Sequence, residues 1–284
     1  MSNKMTRDPL YLRSSSMKRR VIRSVLGLLG LSYSRASKRH EILSFFQLLW
    51  PVRMRRGLFR LGPQSDGGYL LPVGMGDFDA IFSPGVADNW GAESAYLQKH
   101  PATQIYMADG SVDEKSLGPL PERVEFIEKF IGPVETQDCL DFASWVCDRY
   151  SGSDALLTMD IEGQEYEILA SLPDSVLGRF KCIVIEMHGL QLVGSREGLA
   201  FLESTIRRLL HNFDVAHFHG NNYANTLDIA GLRIPPVGEL TLVRKDLGLS
   251  SDLKVDNLPH ELDVSNCDKP DFSYMPHFSA GILR

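Results

Sequence analysis

The stretch LLTMDIEGQEYEIL, residues 156–169, decides how the rest of the chain is read. Leu156, Leu157 and Met159 form a short apolar run that suits a strand covered on both faces, as in a parallel sheet. Asp160 falls where that strand ends, and Gly163 lets the backbone turn. From Gln164 onward, Tyr166, Ile168 and Leu169, set among Glu165 and Glu167, have the spacing of an amphipathic helix. Open α/β sheets take ligands outside the carboxyl ends of their strands, so Asp160 and Glu162 stand where chemistry is done.

Working upstream, residues 79–84 read as another buried strand, followed by the turn Gly85-Val86-Ala87-Asp88-Asn89-Trp90-Gly91 and a helix over 92–99. The turn is not GxGxxG, so a dinucleotide fingerprint is missing. Residues 104–107 form a second strand that ends near Asp109-Gly110. An acid there, 24 residues after Gly85, is placed to accept hydrogen bonds from two ribose hydroxyls, although alone it would pass for a turn former. A third strand over 124–129 runs into Phe130-Ile131-Gly132, whose apolar end suits covering an adenine ring. A helix over 140–150 turns Phe142, Trp145 and Val146 inward. Residues 58–72 read as two short strands about Asp66-Gly67-Gly68, either a plain hairpin or a close approach of backbone to a ligand.

Working downstream, residues 182–185 form a fifth strand ending in Glu186-Met187-His188-Gly189. Side chains alternate along a strand, so Glu186 and His188 share a side where the extension persists. A long amphipathic helix covers 199–210. A sixth strand over 215–218 runs into His219-Gly220-Asn221-Asn222, and ELTLV at 239–243 makes a seventh. No crossover helix fits between these two, so they run antiparallel. Beyond Lys245 the chain is polar, carries Pro259, Pro270 and Pro276, and is expected to wrap the surface as loops.

With 284 residues, 43% of them hydrophobic, the chain can bury one sizeable core and carry an appendage. Its four cysteines make no CxxC pair and read as reduced thiols of a cytoplasmic protein, not a disulfide frame or zinc site. The net charge of −6 hides an asymmetry: residues 1–60 hold 14 Lys and Arg against 2 Asp and Glu, the remainder 16 against 34. A basic arm on an acidic body points to a polyanion such as a membrane surface or nucleic acid. Residues 1–16 are polar and expected to be disordered, while 17–31 and 41–51 read as helices. On the first, Val21, Val25, Leu28 and Leu29 share a face and Lys18, Arg19, Arg20 and Arg23 stay wet. That suits peripheral contact with anionic lipid through residues 1–31; the plainer alternative is a solvated helix packed on the body. No run spans a membrane, since 21–31 is short and broken by Arg23 and Ser24. No clear small-residue cleavage site follows it, so a signal peptide is not expected.

Seven strands with the seventh antiparallel, and helices between most of the others, describe the Rossmann-like α/β sheet of class I methyltransferases. MDIEGQEYEIL, CIVIEMHGL, FHGNNY and ELTLVRK resemble the FkbM-type family of S-adenosylmethionine-dependent methyltransferases, whose hallmark here is a strand ending in D-V/I-E-G followed by an E-Y-x-x-L helix. The resemblance covers residues 58–245, and the chain departs from it at SPGVADN, with one glycine where methyltransferases often show several. The chain then divides into a basic helical arm (1–57), a methyltransferase domain (58–248) and a loop-rich tail on that domain (249–284).

The resemblance implies S-adenosylmethionine as methyl donor and, by family analogy, a hydroxyl of a sugar or glycoconjugate as acceptor. It implies cofactor contacts from Gly85, Asp88 and Asn89 on the turn, Asp109 and Gly110 at the ribose, Phe130, and Asp160 beside the methyl group. Transfer to a hydroxyl also needs a group to take the proton. His188 and His219 have suitable intrinsic pKa values and Glu186 is placed to orient one of them, while the plain alternative is a histidine merely hydrogen-bonded at a strand end. A divalent metal held by Asp160, Glu186, His188 and His219 is a further option, with two histidines counting against Mg2+. The competing readings are a nucleic-acid methyltransferase, disfavoured by the acidic body and the missing N/D-P-P-Y/F motif, and a non-catalytic cofactor- or sugar-binding module on the same frame.

Overall fold

The computed structural model describes residues 35–65 and 67–269. The helix expected over 17–31, the polar stretch before it and Asp66 lie outside the described residues. In chain order the elements are α1 (Arg39–Leu48), β1 (Val52–Met54), β2 (Leu58–Leu61), β3 (Tyr69–Pro72), β4 (Ala80–Pro84), α2 (Gly91–Lys99), β5 (Gln104–Ala108), β6 (Val124–Ile127), β7 (Phe130–Gly132) and β8 (Cys139–Asp141). There follow α3 (Phe142–Arg149), β9 (Ala155–Met159), α4 (Glu165–Ser171), α5 (Asp174–Leu177), β10 (Phe180–Met187), α6 (Arg196–Asn212), β11 (Phe213–Gly220), β12 (Leu227–Ile229), β13 (Leu232–Ile234), β14 (Gly238–Arg244) and β15 (Ser250–Lys254).

Seven strands form one sheet in the order β11-β14-β10-β9-β4-β5-β6. Neighbours from β10 to β6 pair parallel, and β14 runs antiparallel to both β10 and β11. This is the class I methyltransferase fold, as the apolar runs and the missing crossover before ELTLV predict. The chain starts the sheet at β4, builds outward to β6, then returns to β9 on the other side of β4. Such a reversal opens a crevice at the strands' carboxyl ends.

Alternation along the central strands separates two apolar layers. Phe82, Leu157, Ile183 and Ile185 face a core shared with α1, α3, α4, α5 and α6. Ile81, Leu156, Cys182 and Val184 face a second core, closed by α2 and the β2–β3 hairpin. Helix α1 is integral to the first core: Ile42, Phe45 and Phe46 are buried in the cluster that holds Leu202 and Ile206 of α6. Arg196 at the start of α6 also pairs with Glu41 of α1 at 3.1 Å. The four cysteines are free.

Two features differ from the sequence reading. Strands β10 and β11 are each eight residues long, because antiparallel β14 supplies backbone partners well past the apolar runs. Residues 250–254, read as loop, form β15 against β1, a two-stranded edge pair whose exposed residues carry no apolar alternation. Among the described residues no helix is long and apolar enough to cross a membrane.

Candidate active site

A cavity of about 220 Å3 opens at the carboxyl ends of β4 and β9. Its wall begins at Gly85, which turns the chain out of β4 at φ +82°. The next residues, Val86 to Asn89, also line it, and Ala87 holds a left-handed backbone (φ +46°) that only glycine adopts freely. Across the crevice Glu162, just past β9, is left-handed as well (φ +57°). Strain of this kind, on both turns that flank the cavity, persists where surrounding structure over-determines it.

The floor of the cavity is polar. Ser83 of β4 and Thr158 of β9 both reach Oε1 of Glu93 on α2, at 2.7 and 2.8 Å. Glu93 is 5% exposed yet lines the cavity. Glu239 at the start of β14 and Tyr69 at the start of β3 complete the opposite wall. Burial, with the charges of Glu93, Glu239, Asp160 and Glu186 around it, holds the Tyr69 hydroxyl well above the usual phenol range, so it stays a neutral donor.

At the carboxyl ends of β9 and β10 the acids gather about one imidazole. His188 Nε2 lies 3.3 Å from Glu162, 3.9 Å from Asp160 and 3.9 Å from Glu186, and Nδ1 lies 3.0 Å from Glu165 Oε1. Glu165 also accepts from the backbone amides of Ile161 and Gly163, so the turn after β9 and the imidazole are tied to one carboxylate. Burial disfavours charge on His188, but the hydrogen bond to Glu165 and the charges of Glu165, Glu186 and Asp160 push its pKa up to about 9. Burial first, then the adjacent Glu186 carboxylate, pushes Asp160 up to about 9. The cluster thus binds positive charge strongly.

Of the expected site residues, Gly85, Asp88, Asn89, Asp160 and Glu186 line the one cavity, and His188 joins it through Asp160 and Glu186. Gly85 is required for a reason beyond ligand approach: a Cβ there would fall 1.5 Å from the Asp160 carbonyl oxygen. Asp109 is engaged by the protein, accepting from Ala87 N at 2.8 Å and from the amide and hydroxyl of Ser111 at 2.7 and 2.6 Å. It braces the strained turn from the end of β5. Phe130 is 54% exposed and lays its ring over the backbone of Gly110. His219 does not line the cavity; it is buried on β11 beside His217, across the strand pair from Glu239. Asn221, read as able to bind acceptor hydroxyls, instead donates to Glu186 at 2.6 Å, and Asn222 donates to Ser265 and to the Lys269 carbonyl. Sequence reasoning missed Glu93, Glu165, Glu239 and Tyr69. A signal for Glu93 was present: hydroxyls at matching places inside two buried runs, AIFSP and ALLTM, require a buried polar partner.

No family model matches the chain, and no curated protein matches it. Among solved structures it is similar to the fibrillarin/Nop5p complex, at 13% identity over 62% of this chain and 76% of that one, with a TM-score of 0.39. It is similar to precorrin-6y C5,15-methyltransferase from Geobacter metallireducens GS-15, at 17% identity over 59% and 82% (TM-score 0.34). It is also similar to the O-methyltransferase from Bacillus cereus in complex with SAH, at 9% identity over 85% and 93% (TM-score 0.34).

Proposed function

We propose that this chain is an S-adenosylmethionine-dependent O-methyltransferase of the FkbM type, acting on a hydroxyl of a sugar or glycoconjugate. The observation that carries the reading is the charge of the cavity. Glu93, Asp160, Glu186 and Glu239 line it at the sheet's switch point, and no lysine or arginine does among the described residues. Such a wall attracts cationic groups, and the methionine half of the cofactor carries a sulfonium and an ammonium against one carboxylate, a net charge of +1. In this reading the ammonium meets Glu93 at the floor and the adenosine half runs out past Asp109 toward the exposed ring of Phe130. The methyl group then faces the ends of β9 and β10.

Transfer forms a carbon–oxygen bond to the acceptor, breaks the carbon–sulfur bond and leaves a neutral thioether. The acceptor's proton passes to the Glu186 carboxylate, beside which Asp160 and His188 already hold theirs, while Glu165 fixes the imidazole from behind. The protein's task is alignment and charge placement, since the methyl donor is already activated. Equilibrium dialysis with labelled S-adenosylmethionine tests the reading: one molecule should bind per chain, and Glu93→Gln should weaken binding by about 1.5–3 kcal/mol. A chain that binds none of the cofactor is not a methyltransferase of this kind. Incubation with labelled cofactor and a glycoconjugate extract then identifies the acceptor.

A further inference from the structure

We propose that Asp160, Glu165 and His188 form a binding site for a divalent transition-metal ion of the Mn2+ class. One ligand atom from each of the three lies within 4.8 Å of the others. An ion with ligands about 2.1 Å away sets neighbouring ligand atoms about 3 Å apart and opposite ones about 4.2 Å apart, so a small closure completes the site.

The second observation is a pair of orphaned oxygens. Among the described residues two carboxylate oxygens are buried without a hydrogen-bond donor, Asp160 Oδ1 and Glu165 Oε2, and both belong to this group. The Glu165 side chain is 0% exposed. A buried oxygen with no donor is unfavourable, and a cation bound beside it supplies the missing partner. The other Glu165 oxygen is already committed to Ile161, Gly163 and His188 Nδ1. The imidazole's Nε2 faces Asp160, Glu162 and Glu186, so both ring nitrogens stand among carboxylates. His188 is the only cationic side chain within ion-pair distance of these four carboxylates among the described residues. One imidazole therefore serves four acids.

The donor set selects the ion. Carboxylates with one imidazole suit Mn2+, Fe2+ or Zn2+ better than Mg2+, which favours an all-oxygen shell. The site lies at the acceptor end of the proposed catalytic cavity, but it does not require that methyl transfer occur there.

Titration of the full chain with Mn2+, followed by the electron paramagnetic resonance signal of the free ion, tests the proposal. One Mn2+ per chain is expected, with nitrogen hyperfine coupling from the imidazole. Asp160→Asn and His188→Gln should each weaken binding by about ten-fold or more, while Glu203→Gln on α6, paired with Arg207, should not. Failure of the wild-type chain to bind stoichiometric Mn2+, or bound Mn2+ with no nitrogen coupling, overturns the proposal even if a variant does not fold. Binding that survives both substitutions unchanged also overturns it. Parallel dialysis separates the two readings: cofactor binding without Mn2+ removes only the metal site, and Mn2+ binding without cofactor removes only the methyltransferase.

Discussion

Gly85 shows how tightly one residue is specified. Its left-handed backbone and the Asp160 carbonyl, 1.5 Å from where a Cβ would stand, exclude every side chain. Gly85→Ala should therefore cost about 3 kcal/mol or more, read from urea denaturation, because neither β4 nor β9 can withdraw without breaking the sheet. A loss below 1 kcal/mol would mean the two strand ends are not in contact as described. At this scale the sequence was readable where a residue sits at a strand end. Asp160, Glu186 and His188 were found that way, and they do meet. Glu165 and Glu93 were not, because an acid in the first turn of a helix looks like a solvated complement to the helix dipole. Only the fold reveals that both point inward.

Helix α1 carries the clearest expectation among the elements. Phe45 is wholly buried between the sheet and α6, so Phe45→Ala should destabilise the protein by about 3–5 kcal/mol in thermal or urea unfolding. A surface helix would tolerate the change. The segment 255–269 acts as a strap over β11 and β14. Asp263 meets His217 at 2.9 Å with both side chains buried, and Asn266 donates to Glu239 at 2.6 Å. Burial is the main reason the His217 pKa lies below its ordinary 6.5, outweighing the pull of Asp263. The unfolded chain then takes up the proton more readily, so this histidine's contribution to stability is complete above about pH 6.5 and declines below it. The cost of His217→Gln should accordingly be larger at pH 8 than at pH 5.5. An equal cost at both would show that folding leaves the His217 pKa unchanged, and a larger cost at pH 5.5 that the fold holds it charged. The strap was hidden from sequence reasoning because its partners lie some 46 residues apart and its composition is that of a loop. The seven sheet strands were legible, since each is an apolar run bounded by turn residues.

Charge is the property of the whole molecule that local reading captures best. Fourteen basic residues against two acidic ones in residues 1–60 contrast with an acidic remainder whose cavity is itself acidic. The full chain is expected to bind vesicles containing anionic lipid and to lose that binding on deletion of residues 1–31, or in high salt. Flotation with neutral and anionic vesicles checks this; equal recovery with both discards the idea.

The opposed direction of β14 matters beyond sheet geometry. Every other strand brings its final residue to the crevice, but β14 brings its first, so Glu239 is delivered by the chain that arrives from the β12–β13 hairpin. The largely exposed part of that excursion, residues 223–228, is therefore free to vary without disturbing the turns after β4, β5 or β9, while Leu232 and Ile234 stay in the core. Selectivity for what is modified and capture of what is consumed would then evolve on separate pieces of polypeptide, the first in an excursion hung from a reversed strand, the second in the turns it leaves alone.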